Sequence, residues 1–156
     1  MRVLNCAAFA ASFSLFLNPG FTRAQTRADY SGVWQQVNGR CIPKPKNKHA
    51  SYRLEVEQKD SSLRLRITTD KGHLNLDYQT AGKELVYTGL DGDEFHTNVR
   101  WDGQSLLFDT VEYERGHKVL AKEVWTLLDG GHTLRRVKEE DEPGEHSTAT
   151  YILEKQ

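Results

Sequence analysis

With 156 residues, 37% of them hydrophobic, 28% charged and only 4 prolines, the chain has the make-up of one modest soluble domain. That excludes a collagenous fibre, a low-complexity disordered chain and a membrane bundle. Its 21 Lys+Arg against 22 Asp+Glu leave a formal charge of -1, no field for gripping a polyanionic duplex, so nucleic acid is not an expected partner.

The first element is predicted to be removed rather than folded. Arg2 supplies a positive start, Val3 to Leu17 form an apolar stretch, and Asn18-Pro19-Gly20 breaks it. Thr22 and Ala24 are the small residues a signal peptidase inspects, which puts the cut between Ala24 and Gln25. The expected division is therefore residues 1–24 as a signal peptide and 25–156 as the domain, exported to a periplasmic or secreted location. The apolar stretch falls short of the roughly 20 residues of a membrane anchor, so no stable membrane insertion is expected. Cys6 leaves with the signal and Cys41 remains as the sole cysteine of the mature chain, which permits no intrachain disulfide. The domain must then rely on its core, which is feasible at this length.

From Tyr30 onward the apolar period is two. Tyr52, Leu54 and Val56 alternate with Arg53, Glu55 and Glu57, and Leu63, Leu65 and Ile67 alternate with Arg64, Arg66 and Thr68. Leu74, Leu76 and Tyr78 follow the same rule, as do Phe95, Thr97, Val99 and Trp101. Runs of this kind fall near 30–37, 52–58, 62–69, 73–80, 84–88, 93–101, 104–113, 117–128, 131–138 and 146–154, without a sustained helical period. The chain is all-β. Most connections are short, and Ala81-Gly82, Asp102-Gly103 and Asp129-Gly130 suit tight hairpins. Short connections argue against a Greek-key sandwich and for an up-and-down antiparallel β-barrel of 8–10 strands, closed so that no edge is left exposed.

Two-residue turns would set the register. A turn at Asp102-Gly103 places Val99 opposite Leu106, Thr97 opposite Phe108 and Phe95 opposite Thr110. One at Ala81-Gly82 sets Tyr78 against Leu85 and Leu76 against Tyr87, and one at Asp129-Gly130 sets Trp125 against Leu134 and Glu123 against Arg136. All three agree on one inner face. Parity puts the connections 38–51 and 139–145 at the same rim; Arg40, Lys44, Lys46 and Lys48 lie in the first and Glu139, Glu140, Asp141, Glu142 and Glu145 in the second. They read either as solvated loops or as an ion-paired flap over the opening.

The inner face assembles the candidate site. Tyr78, Tyr87, Phe95, Thr97, Phe108 and Tyr151 would line the lumen, an apolar wall carrying several hydroxyls that suits a small hydrophobic or amphipathic molecule. Whether these side chains leave a cavity or meet and fill the interior is open at this stage. Glu123 and Arg136 face inward beside Trp125, and charges there are expensive unless paired, so a salt bridge is the plain reading. The six histidines lack metal-ligand spacing and read as surface residues. Cys41, beside Arg40, is either an activated thiol or a small buried residue at a strand end, the second being preferred. No nucleophile elbow and no glycine loop opening a helix is present, so neither an enzyme nor a cofactor is expected.

The opening strand Asp29-Tyr30-Ser31-Gly32-Val33-Trp34 carries a G-x-W element, Gly82-Lys83-Glu84 forms a turn, Trp101-Asp102-Gly103 precedes an apolar strand, and Val124-Trp125-Thr126-Leu127 precedes an Asp-Gly turn. This ordered set resembles a group of small exported bacterial lipocalin-like proteins within the calycin barrels, which include the lipocalins and fatty-acid-binding proteins. The resemblance runs from Asp29 to the C-terminus, departing at Ala81, where the group commonly has an acidic residue. It implies that Trp34 plugs the closed end and that Arg136 offers its guanidinium to an anionic ligand head, with Glu123 holding it when the site is empty. With Pro43 and Pro45, the segment 38–51 is too short for the helical lid of fatty-acid-binding proteins. The resulting expectation is a non-catalytic carrier of a small ligand. The alternative is a protein-interaction or inhibitor module with a filled barrel, which would meet an envelope or secreted protein through its outer face or the segment 25–29.

Overall fold

The computed structural model describes residues 27–47, 49–114 and 116–156; the expected signal peptide lies outside them. Ten strands follow one another: β1 Gly32–Gln36, β2 Tyr52–Lys59, β3 Ser62–Thr69, β4 Gly72–Gln79, β5 Leu85–Thr88, β6 Glu94–Asp102, β7 Ser105–Glu114, β8 His117–Leu128, β9 Thr133–Glu142 and β10 Glu145–Lys155. They form a single antiparallel sheet in the order β4-β3-β2-β1-β10-β9-β8-β7-β6-β5. The first and last strands meet, with Trp34 opposite Lys155, so the meander curls into a nearly closed barrel. No described helix is long and apolar enough to cross a membrane.

The predicted faces hold throughout. Leu54, Leu63, Val99, Leu106, Leu134 and Leu153 are fully buried, while their strand neighbours Arg53, Arg64, Arg100 and Arg135 reach water. At one end of the barrel Trp34 is wholly buried and its indole N–H donates to the Tyr30 carbonyl at 2.9 Å. The Tyr30 hydroxyl, also buried, donates to the carbonyls of Trp125 at 2.8 Å and Gln104 at 3.0 Å, and its ring packs against Trp101 and Trp125. Burial pushes the Tyr30 pKa up to about 12. The turns at 60–61, 103–104 and 129–132 lie at this end, which is closed; the rim bearing the segment 38–51 lies at the other.

The registers differ from those expected. At the β6–β7 hairpin the turn residues are Gly103 and Gln104, with Asp102 opposite Ser105, so Val99 faces Phe108 and Thr97 faces Thr110. At β8–β9 the connection is longer: Leu128 faces Thr133, and Trp125 faces Arg136. Asp129, Gly130 and Gly131 all take positive φ, and the Thr133 hydroxyl donates to the Asp129 carboxylate at 2.7 Å, which stabilises a four-residue loop rather than a two-residue turn. Each slip is two residues, so the inward set stays inward.

Two further expectations are corrected. Ala81-Gly82 does not join a ladder: β4 and β5 are the two free edges, Ala81 bridges to Arg100 of β6, and the barrel is shut across the gap by side chains, with Tyr78 packed edge-on against Tyr87 and Phe108. The acidic segment 139–145 is not a loop. Residues 139–142 continue β9, Glu142 faces Glu145, and only Pro143-Gly144 turns, because extending the strands gains ladder hydrogen bonds. Among the described residues no ion pair joins this segment to 38–51. Lys138 pairs with Glu140 and His146 with Asp141 within this hairpin, while the segment 38–51 is tied to β10 by Arg40–Glu154 at 2.8 Å and by reciprocal backbone bonds between Ile42 and Thr150. Cys41 is a buried free thiol pointing at the Val37 carbonyl.

Candidate functional site

Between the plugged end and the open rim lies a cavity of about 320 Å³. Its wall contains Tyr78, Tyr87, Phe95, Thr97, Phe108, Glu123, Trp125 and Arg136, each placed on the inner face by strand alternation. Tyr151 does not line it. Its ring stands behind the site, 5.7 Å from the Arg136 guanidinium carbon. Sequence reasoning passed over Tyr52, Glu112 and Lys138, which complete the polar lining, and Leu65, Ile67, Leu76, Thr110 and Ala121, which complete the rest. The signal for them was parity, since Glu112 follows Phe108 and Thr110, and Lys138 follows Arg136, on the same face.

The polar centre is built on two neighbouring strands. Glu123 faces Lys138 and Trp125 faces Arg136, so Glu123 and Arg136 are diagonal neighbours that their long side chains reach across. Arg136 Nε and Nη2 donate to the two Glu123 carboxylate oxygens at 2.5 and 3.1 Å, a bidentate pair whose members are each only 13% exposed. Trp125 Nε1 donates to the same carboxylate, and Arg136 Nη1 donates to the Tyr52 hydroxyl at 2.5 Å. The guanidinium lies 5.1 Å from the ring centres of both Tyr52 and Trp125. Burial alone would raise the Glu123 pKa, but the guanidinium charge and the hydrogen bonds outweigh it and hold the carboxyl below its ordinary range. Both partners are ionised at neutral pH.

A second feature is a run of hydroxyls along the aromatic wall. Thr97 and Thr110 share a hydrogen bond of 2.9 Å, and Tyr78 and Tyr87 stand on the same wall. Burial raises the Tyr78 pKa far above that of a free phenol, so it remains neutral. Tyr87 stacks on Phe95 with centres 5.1 Å apart.

The third feature marks the rim. Glu112 is raised by burial and by the carboxylates of Glu140, Asp91 and Asp93, against the pull of Lys138. Lys138 is itself paired with Glu140. Among the described residues, no three His, Cys, Asp or Glu side chains gather where they could hold a metal ion.

This arrangement offers a cavity near the lower end of ligand-pocket sizes, walled by aromatics, with hydroxyls along one side and an internally compensated ion pair. No family model matches the chain and no curated protein matches its sequence. Solved structures do match in shape. A REP1-NXSQ fatty acid transporter superposes with a TM-score of 0.63 at 13% identity, over 81% of this chain and 95% of that one. Apo lipid binding protein 8 of Caenorhabditis elegans gives 0.64 at 10% identity over 81% and 95%, and human cRBP IV gives 0.60 at 15% over 83% and 99%. The chain has the fold of the calycin barrels. At these identities the likeness carries the architecture and nothing of the chemistry.

Proposed function

We propose that this protein, exported after loss of residues 1–24, holds a small hydrophobic or amphipathic molecule in the barrel lumen and performs no chemistry on it. The carrying observation is the aromatic-walled cavity of about 320 Å³, plugged at the Trp34 end and reached from the opposite rim. The apolar wall supplies the driving force through water removed from both surfaces, and the hydroxyls supply orientation. Two of the structural neighbours are described as a fatty acid transporter and a lipid binding protein, which supports the reading.

The test is native mass spectrometry of the protein purified from its host, followed by extraction and identification of what it carries. A mass above that of the chain, returning to the bare value after solvent extraction, is expected. A bare mass from freshly isolated protein, together with failure to take up a neutral solvatochromic dye, would transfer support to a protein-interaction module.

A further inference from the structure

The lumen holds a compensated pair of charges, and this bears on which ligand it accepts. Arg136 is the cation best placed to meet a buried anionic head, yet its charge is already met by Glu123 through two hydrogen bonds, at 13% exposure on each side. Glu123 is fixed in turn by the Trp125 indole. A carboxylate entering here has two options. It can displace Glu123 from the guanidinium, leaving that side chain buried without its partner, or it can lie beside a neutral pair as a third, uncompensated charge. Both are unfavourable in a poorly solvated cavity.

The rim works in the same direction. Glu112 lines the cavity and stands in the field of Glu140, Asp91 and Asp93, while Lys138 is engaged by Glu140. On that side of the mouth an anion would meet Glu112 and its acidic neighbours. What the wall does offer is neutral: the Tyr52 hydroxyl accepts from Arg136 and keeps its own proton to donate, and the hydroxyls of Tyr78, Thr97 and Thr110 rotate to give or receive.

We propose that the lumen selects uncharged amphiphiles bearing a hydroxyl or carbonyl head, and discriminates against carboxylates of the same chain length, because Glu123 neutralises Arg136 from within. This rests on the lumen being the binding site. Arg136 then orders the polar wall and does not capture an anion.

The experiment displaces Nile red, a neutral dye, from the delipidated protein at neutral pH with decan-1-ol, decanoate or decylamine, each confirmed by calorimetry. Decan-1-ol is expected to bind at least ten-fold more tightly than decanoate, and Glu123→Gln to narrow or reverse that ratio by freeing Arg136. Equal or tighter binding of decanoate by the unaltered protein overturns the inference. So does decylamine binding ten-fold more tightly than the alcohol, which would make the acidic rim a cation site. If the dye binds and none of the three displaces it, the inference fails while the lumen reading stands; if the dye itself does not bind, the lumen reading fails and takes the inference with it. The unaltered protein decides the matter even if Glu123→Gln does not fold.

Discussion

Removing one member of the Glu123–Arg136 pair should destabilise the barrel far more than removing both. Two unit charges about 4 Å apart at an effective dielectric near 20 attract by about 4 kcal/mol. Glu123 also accepts from Trp125, and Arg136 also donates to Tyr52, so each truncation orphans further partners. Breaking such a buried pair from one side typically costs about 3–5 kcal/mol, and that is the expected loss for Glu123→Leu or Arg136→Met. The double variant replaces two charges with apolar side chains of similar volume. It should lie within about 1 kcal/mol of the parent or be more stable, as such replacements are elsewhere. Urea unfolding of all four proteins gives the coupling from a double-mutant cycle, which is the two single losses less that of the double variant, about 6–10 kcal/mol at neutral pH. Its pH dependence has a definite sign. The folded Glu123 carboxyl titrates below its ordinary value of 4.5, so the stabilisation is fully present above that value and is lost as pH falls through the depressed one. Single variants that each lose less than about 1 kcal/mol, or a double variant equal to their sum, would refute the view that the pair is a desolvated, self-compensating unit.

Three further outcomes are expected. Tyr30→Phe removes the donor to the Trp125 and Gln104 carbonyls at the plugged end and should cost about 1–2 kcal/mol in urea unfolding, with no change in the lumen's affinity for a neutral dye. Glu112→Gln should raise the melting temperature at neutral pH and lose that advantage in acid: burial and neighbouring carboxylates raise the folded pKa, so the ionised form weakens the fold as pH rises through it. His96, held between Glu94 at 3.0 Å and Glu84 at 3.3 Å, should titrate by NMR above the ordinary imidazole value of 6.5, and Glu94→Gln should lower its midpoint more than Glu84→Gln does.

Much of the candidate site was legible before any coordinates. Alternation is a local property of an extended chain, so Phe95, Thr97, Phe108, Trp125 and Arg136 could be assigned to the inner face from spacing alone. The same parity covered Tyr52, Glu112 and Lys138, but nothing in a linear pattern says which inward residues sit at cavity height rather than in the plug or at the rim. Tyr151 shows this limit, being inward yet screened from the cavity by the guanidinium it packs against.

Local patterning encodes an all-β meander, its inner and outer faces, and the inward pairing of one acid with one base, because a period of two and glycine-bearing turns act over a few residues. Long-range packing sets the two-residue register slips, the open seam between β4 and β5, the strand character of residues 139–142 and the diagonal geometry that locks Glu123 to Arg136. Those features follow from which backbone groups satisfy one another across strands, and from bulky rings filling a gap that hydrogen bonds do not close. Such choices are made between segments distant in the chain and leave no mark on either one alone.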